Sequence, residues 1–139
     1  MSNACWEHFE HKADIGIRGF GNTLSQAFEQ AAVAMTAVVT DITRIHSTQT
    51  ISISCNDEDY DTLLYDWLNA LIYEMATRKM LFSRFEVMID GSTLSARASG
   101  EAIDIGRHQP AVEVKGATYT ELAVYQQNEQ WVAQCVLDV

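Results

Sequence analysis

Asp61-Thr62-Leu63-Leu64-Tyr65-Asp66-Trp67-Leu68-Asn69-Ala70-Leu71-Ile72-Tyr73 is the stretch whose reading decides the fold. Tyr60, Leu63, Leu64, Trp67, Leu68, Leu71, Ile72 and Met75 recur at helical spacing, which predicts an amphipathic helix with one apolar stripe. Asp57, Glu58, Asp59 and Asp61 crowd its start, and Arg78 and Lys79 close it. Charges of those signs at those ends offset the helix macrodipole. The Leu-rich stripe with Trp67 at its centre reads as core packing.

A second helix lies upstream. Leu24, Ala27, Phe28, Ala31, Ala32, Met35, Val38 and Val39 share one face. Thr23, with Gln26 three residues later, is a capping-box signature. The helix is expected over Leu24 to Val39, stopping near Thr40-Asp41. Elsewhere the period is two. Ile15 and Ile17, with Phe20, mark an early strand, and Ile51 and Ile53 alternate with serines. Phe85, Val87 and Ile89 alternate up to Asp90-Gly91, and Leu94, Ala96 and Ala98 alternate away, a hairpin signal. A last pair is expected over Ala117 to Tyr125 and Trp131 to Leu137, joined through Gln127-Asn128-Glu129. Asp104 to Pro110 reads as a loop. Helix, strand, helix and then consecutive strands predict an α+β, two-layer single domain over residues 1–139, two amphipathic helices packed on a mostly antiparallel sheet.

The bulk properties narrow the function. The chain has 139 residues and a formal charge of −10, from 9 Lys+Arg against 19 Asp+Glu. Nucleic acids are held largely by cations on their phosphates, so tight direct binding of RNA or DNA is not expected. A cation or a basic protein surface is the natural partner for such a chain. Cys5, Cys55 and Cys135 are odd in number and far apart, which argues against a disulfide framework or a zinc site. Cys55 and Cys135 read as small core residues. Reduced thiols, the polar start Trp6 to Lys12 and the lack of a membrane-length apolar run point to the cytoplasm.

No phosphate-loop pattern and no GxSxG elbow occurs. Gly16, Gly19 and Gly21 lack the dinucleotide-binding spacing and read as strand bends or bulges. His8 and His11 invite a zinc reading, but residues three apart on an extended chain point to opposite faces. Asp14 precedes a strand, Asp41 follows a helix, and Asp138 stands beside Val139 near the end of the chain. Carboxylates ligate hard cations, and the terminal carboxylate of Val139 adds oxygens beside Asp138. By spacing alone the three aspartates read first as turn caps or solvated acids. Lys115, in Glu113-Val114-Lys115, reads either as an exposed strand lysine or as a contact for a phosphate or an acidic group.

Several stretches, in order, resemble the archease family. They are His11-Lys12-Ala13-Asp14-Ile15-Gly16-Ile17, the helix ending in Thr40-Asp41, Asp61 to Tyr73, Gly100-Glu101, His108, Glu113-Val114-Lys115-Gly116-Ala117-Thr118-Tyr119, and Val136-Leu137-Asp138-Val139. Lys12, Gly116 and Thr120 depart from that family's more usual Thr, Ala and His. The resemblance implies an accessory protein, not itself an enzyme, that acts on an RtcB-type RNA ligase in tRNA splicing and RNA repair. It implies promotion of ligase guanylylation and of multiple turnover through a metal-binding acidic site. It implies Asp14, Asp41 and Asp138 as holders of a divalent ion (Ca²⁺, Mg²⁺ or Mn²⁺), to which the Val139 carboxylate is expected to add oxygens, and Lys115 as a functionally important lysine. Two alternatives stand beside it. One is a metal-dependent phosphoester hydrolase built on the same acids with His11 or His108. The other is a general chaperone or adaptor whose acids are merely solvated.

Overall fold

The computed structural model describes residues 4–139. Its elements in chain order are β1 Cys5–His11, β2 Asp14–Gly21, α1 Leu24–Val39, a 3-10 turn Ile42–Arg44, β3 Gln49–Asn56, α2 Tyr60–Arg78, β4 Met80–Asp90, β5 Thr93–Ala102, the single turn α3 Ile105–His108, β6 Gly116–Ala117, β7 Ala123–Gln127 and β8 Gln130–Asp138. The fold is α+β, and every strand pairing is antiparallel. One sheet has the order β1-β2-β8-β6, with β7 also on β8, and the second has the order β3-β5-β4. Both long helices touch strands of both sheets. One core joins them, with Phe28, Met35, Leu63, Leu64, Trp67, Phe82 and Leu94 almost wholly buried.

The local signals carry through. α1 begins and ends where its periodicity predicts, and Thr23 Oγ1 accepts the Gln26 N–H at 3.1 Å. The Gln26 side chain reaches back one residue further than a standard box, accepting the Asn22 N–H at 2.8 Å. The Asp59 carboxylate caps α2, and Lys79 closes it in a left-handed conformation. Trp67 is fully buried and donates its indole N–H to Phe28 O at 3.0 Å, tying α2 to α1. Asn128 and Glu129 both take positive φ, the twist a tight hairpin needs.

Three expectations are corrected. Asp104 to Pro110 contains a helical turn, because the Asp104 side chain caps it at Arg107 N. The run before Gly116 pairs in no ladder, and β6 is only two residues long. Gly16, Gly19 and Gly21 sit in an unbroken register, so they mark close approaches instead of bends. A Cβ on Gly16 would enter the Phe9 ring, and one on Gly19 would meet the α1 backbone. The bulge lies instead in β4, between Phe82 and Arg84.

Candidate functional site

Antiparallel pairing aligns side chains in rows across a sheet. His11 pairs with Asp14, Ile15 with Leu137, and Gly116 with Asp138. One step outward from Ile15 and Leu137 the register sets Asp14 beside Asp138, giving a row His11, Asp14, Asp138, Gly116. Successive strand residues alternate faces. Ile17, Cys135 and Leu137 are completely buried, and Gly19 abuts α1, so that parity faces the helices. The row containing Asp14 and Asp138 therefore belongs to the opposite, outer face. The next outward-facing rows are Phe9, Gly16 and Val136, then Glu7, Arg18 and Gln134. There Arg18 pairs with Glu7, donates to Gln134 at 2.9 Å and lies over the Phe9 ring.

Asp14 is half-buried and Asp138 exposed. Neither carboxylate has an ion pair or a side-chain hydrogen bond among the described residues. Like charges on neighbouring strands repel, so this pair is poised to gain from a cation. Beside it, His11 Nδ1 is buried without a hydrogen-bond partner. His8 goes the other way, its Nε2 contacting Ala34 O of α1 at 2.8 Å, so the two histidines do not converge, as the spacing requires. Two carboxylates and an unpartnered ring nitrogen thus stand at one end of neighbouring strands, oxygen and nitrogen donors of the kind divalent cations take.

The other predicted residues reach the same end of the molecule by a different route. Gly21 packs at Gln26, Gly19 at Ala27 and Ala31, and His8, in the row of Ile17, at Ala34. α1 therefore runs back along β2 and delivers Asp41 to the Asp14 end. Asp41 is exposed and caps the 3-10 turn. The Thr43 hydroxyl and N–H, at 2.7 and 3.0 Å, hold its carboxyl below the usual range. Val139 is half-buried against the core edge. Lys115 donates its N–H to Asp138 O at 2.8 Å. Lys115 is exposed, next to the buried Val114, and lies along a groove beside α2. Asp14 and Asp138 thus share the outer face, while Asp41 stands at the end of α1, on the helix side. Among the described residues no three His, Cys, Asp or Glu side chains are grouped as a ready-made metal cage.

A buried polar knot lies near this end, and sequence reasoning missed it. Glu101 accepts from His46 N at 2.8 Å, from His108 Nε2 at 2.9 Å and from Arg107 at 2.8 Å. Those donors, the His46 N–H foremost, hold its carboxyl down at about 2. His108 is completely buried, and its Nδ1 accepts the Asp104 N–H at 2.8 Å. The ring proton therefore sits on Nε2, and both nitrogens are spent. The Thr40 hydroxyl adds a bond to His108 O, and Ala111 N–H donates to Val39 O at 2.8 Å. The knot fastens the loop after β5 to the end of α1. Nothing local marks it, since its members come from four separate segments.

Residues 6–139 match the model of the Archease protein family (MTH1598/TM1083). The chain is 40% identical over 139 residues to Protein archease of Pyrococcus furiosus, with 96% of this chain and 98% of that one covered. It is 37% identical to Protein archease of Pyrococcus abyssi over the same shares. The solution structure of protein 1598 of Methanobacterium thermoautotrophicum is similar with a TM-score of 0.86 at 33% identity, covering 96% of this chain and 98% of that one. A crystal structure from Thermotoga maritima, described as an archease and possible chaperone, has a TM-score of 0.64 at 19% identity over 94% of each chain, a likeness of fold alone. No helix among the described residues is long and apolar enough to cross a membrane.

Proposed function

This chain belongs to the archease family, and from that premise we propose that it is a cytoplasmic accessory protein that activates an RtcB-type RNA ligase. The observation that carries the reading is the pair of unneutralised carboxylates, Asp14 and Asp138, in one cross-strand row with the unpartnered His11 Nδ1. Asp14, Asp138 and the Val139 carboxylate would hold a Ca²⁺, Mg²⁺ or Mn²⁺ ion, with Asp41 approaching from the helix side. Bound there, the ion would supply positive charge to phosphate oxygens at the partner's nucleotide site. The chain's own residues have other tasks. The strand ladder sets the spacing of Asp14 and Asp138. Thr43 keeps the Asp41 carboxylate ionised. Lys115, whose ammonium has no ion pair among the described residues, offers a point charge to a phosphate or carboxylate. A surplus of acid on this chain favours encounter with a basic, RNA-handling enzyme.

The hydrolase reading loses His108, which has no nitrogen left to act as a base or ligand, and keeps only His11 beside the acids. The test is multiple-turnover RNA ligation by a limiting RtcB-type ligase with GTP and Mn²⁺, with and without this protein. A large gain that is lost in Asp14→Ala supports the proposal. No gain with the cognate ligase refutes it. A cation-independent gain that survives Asp14→Ala would favour a chaperone role.

A further inference from the structure

We propose that the free edge of β3 pairs with β3 of a second copy of this chain, antiparallel and about a two-fold axis at Ser52, so that two three-stranded sheets become one continuous sheet. β3 stands at the end of its sheet, with β5 as its one strand partner among the described residues. The Asp57 N–H donates to Ser92 O at 2.9 Å, so the odd-numbered residues of β3 turn their backbone groups to β5. The N–H and C=O groups of Thr50, Ser52 and Ser54 therefore point out of the sheet edge. Those three N–H groups donate to nothing among the described residues. Their side chains are exposed, whereas Ile51 and Ile53 between them are buried in the core.

The other edges among the described residues are plugged or charged. Val87 N–H, on the outer edge of β4, donates to the Glu29 carboxylate of α1 at 2.8 Å. Val124 N–H of β7 donates to the Asp61 carboxylate of α2 at 2.6 Å, and Ala117 N–H of β6 to the Asn69 side chain at 3.0 Å. β1 carries Glu7, His8, Glu10 and His11 along its length. Charges on an edge, or side chains seated on its amides, keep folded chains from pairing edge to edge. β3 has neither. Its residues, Gln49-Thr50-Ile51-Ser52-Ile53-Ser54-Cys55-Asn56, hold no charge and no proline, on a chain whose net charge is −10.

Symmetry and charge select a second copy as the occupant. A register centred on Ser52 sets Ser52 against its own copy and Thr50 against Ser54 of the other chain. Each such pair exchanges two backbone hydrogen bonds. The hydroxyl side chains then line up across the new junction, and cross-strand hydroxyl pairs are favourable. Thr50 and Ser99 already form one at 2.8 Å within a single chain. Antiparallel pairing also brings the end of each β3 to the start of the other. Asp57, Glu58 and Asp59 follow β3, and the exposed Arg44 and His46 precede it. The acidic end of each copy thus meets the basic start of the other, and two-fold symmetry makes that match twice. The proposal stands apart from the ligase reading, which uses other residues.

Sedimentation velocity of the full chain, at concentrations up to millimolar, is the test. The mass should rise with concentration from that of one chain to that of two. Over the same range the amides of Thr50, Ser52 and Ser54 should gain protection from hydrogen exchange. Ser52→Pro removes an outward N–H and takes none from β5, so it should raise the concentration of half-association by about tenfold or more. Ser52→Lys sets like charges face to face at the axis and should act in the same direction. A melting curve of each dilute variant separates lost pairing from lost fold. Directly paired residues have Cα atoms about 5.5 Å apart, within reach of a disulfide. In a Cys5→Ser background, Ser52→Cys should therefore oxidise to a covalent dimer, and Ser95→Cys, exposed on the middle strand β5, should not. A single-chain mass at every concentration, a dimer indifferent to both Ser52→Pro and Ser52→Lys, or equal cross-linking through Ser95→Cys would overturn the proposal.

Discussion

Gly19→Ala is the substitution that tests how β2 and α1 hold the two halves of the site together. A Cβ at residue 19 would lie 2.3 Å from Ala31 N and 2.4 Å from Ala27 O, where ordinary contact begins near 3.4 Å. Both atoms are helix backbone, so no side chain can rotate aside, and the helix must retreat by about 1 Å. A gap of that size forfeits roughly a quarter to a half of each dispersion contact across the interface. Overpacking typically costs about 1–3 kcal/mol, and a rigid backbone neighbour puts this case at about 3 kcal/mol or more. For a domain of this length that is a fall in Tm of roughly 10 °C. Two other glycines calibrate the measurement. A Cβ on Gly106 meets nothing nearer than 3.5 Å, so Gly106→Ala should stay within about 0.5 kcal/mol. Gly91 has φ +60 with nothing within 4 Å, so Gly91→Ala should cost only the backbone term, about 1 kcal/mol. Urea unfolding followed by circular dichroism gives all three values. If Gly19→Ala proves no more costly than Gly91→Ala, the close β2–α1 contact is not what the reasoning takes it to be. Because α1 carries Asp41 relative to Asp14, the same variant should also lose ligase stimulation at temperatures where it remains folded.

Three further outcomes are expected. Asp138→Asn and Asp14→Asn should each stabilise the chelator-treated protein by a few tenths of a kcal/mol, by removing cross-strand repulsion. They should also shrink the rise in Tm that Ca²⁺ or Mn²⁺ produces, and an undiminished rise in both would remove the row from the cation site. Glu101 is held at about 2 in the fold, below the usual carboxylate value, so its contribution is complete above about pH 4.5 and drains away as pH falls towards 2. Glu101→Gln should therefore flatten the loss of stability between about pH 5 and 2, and an unchanged slope in acid denaturation would contradict the bonding described. Burial pushes the Cys55 and Cys135 thiols up to about 11, whereas Cys5 is exposed. A thiol reagent at pH 8 should label Cys5 first and the other two mainly on unfolding, and equal rates would refute the placement.

Much of the fold was readable because its causes are local. The apolar stripe of Leu63 to Met75 and the Thr23 cap act within one or two turns, and Asp90-Gly91 bends the chain on the spot. β1 escaped notice because an edge strand with one side in water needs little apolar alternation, and Trp6 to Lys12 shows almost none. The outline of the site was legible in part, since Asp14, Asp41 and Asp138 all stand at the ends of elements. Their division between faces was not. Glu101 and His108 gave no local sign of the knot they form, because His46, Arg107 and Asp104 meet them only in the folded chain.

The sequence by itself determined two amphipathic helices, an antiparallel α+β frame, a surplus of negative charge and, by an ordered set of motifs, the family. The tertiary structure decided that the Ile15–Leu137 register carries Asp14 and Asp138 to the same end of neighbouring strands, that Glu101 and His108 bond inside the fold, and that an open groove runs beside α2. The physical reason is the range of the forces. Helical periodicity and caps are written within a few residues, whereas the register of β2 on β8 joins residues more than a hundred positions apart, and only packing of the whole core selects it.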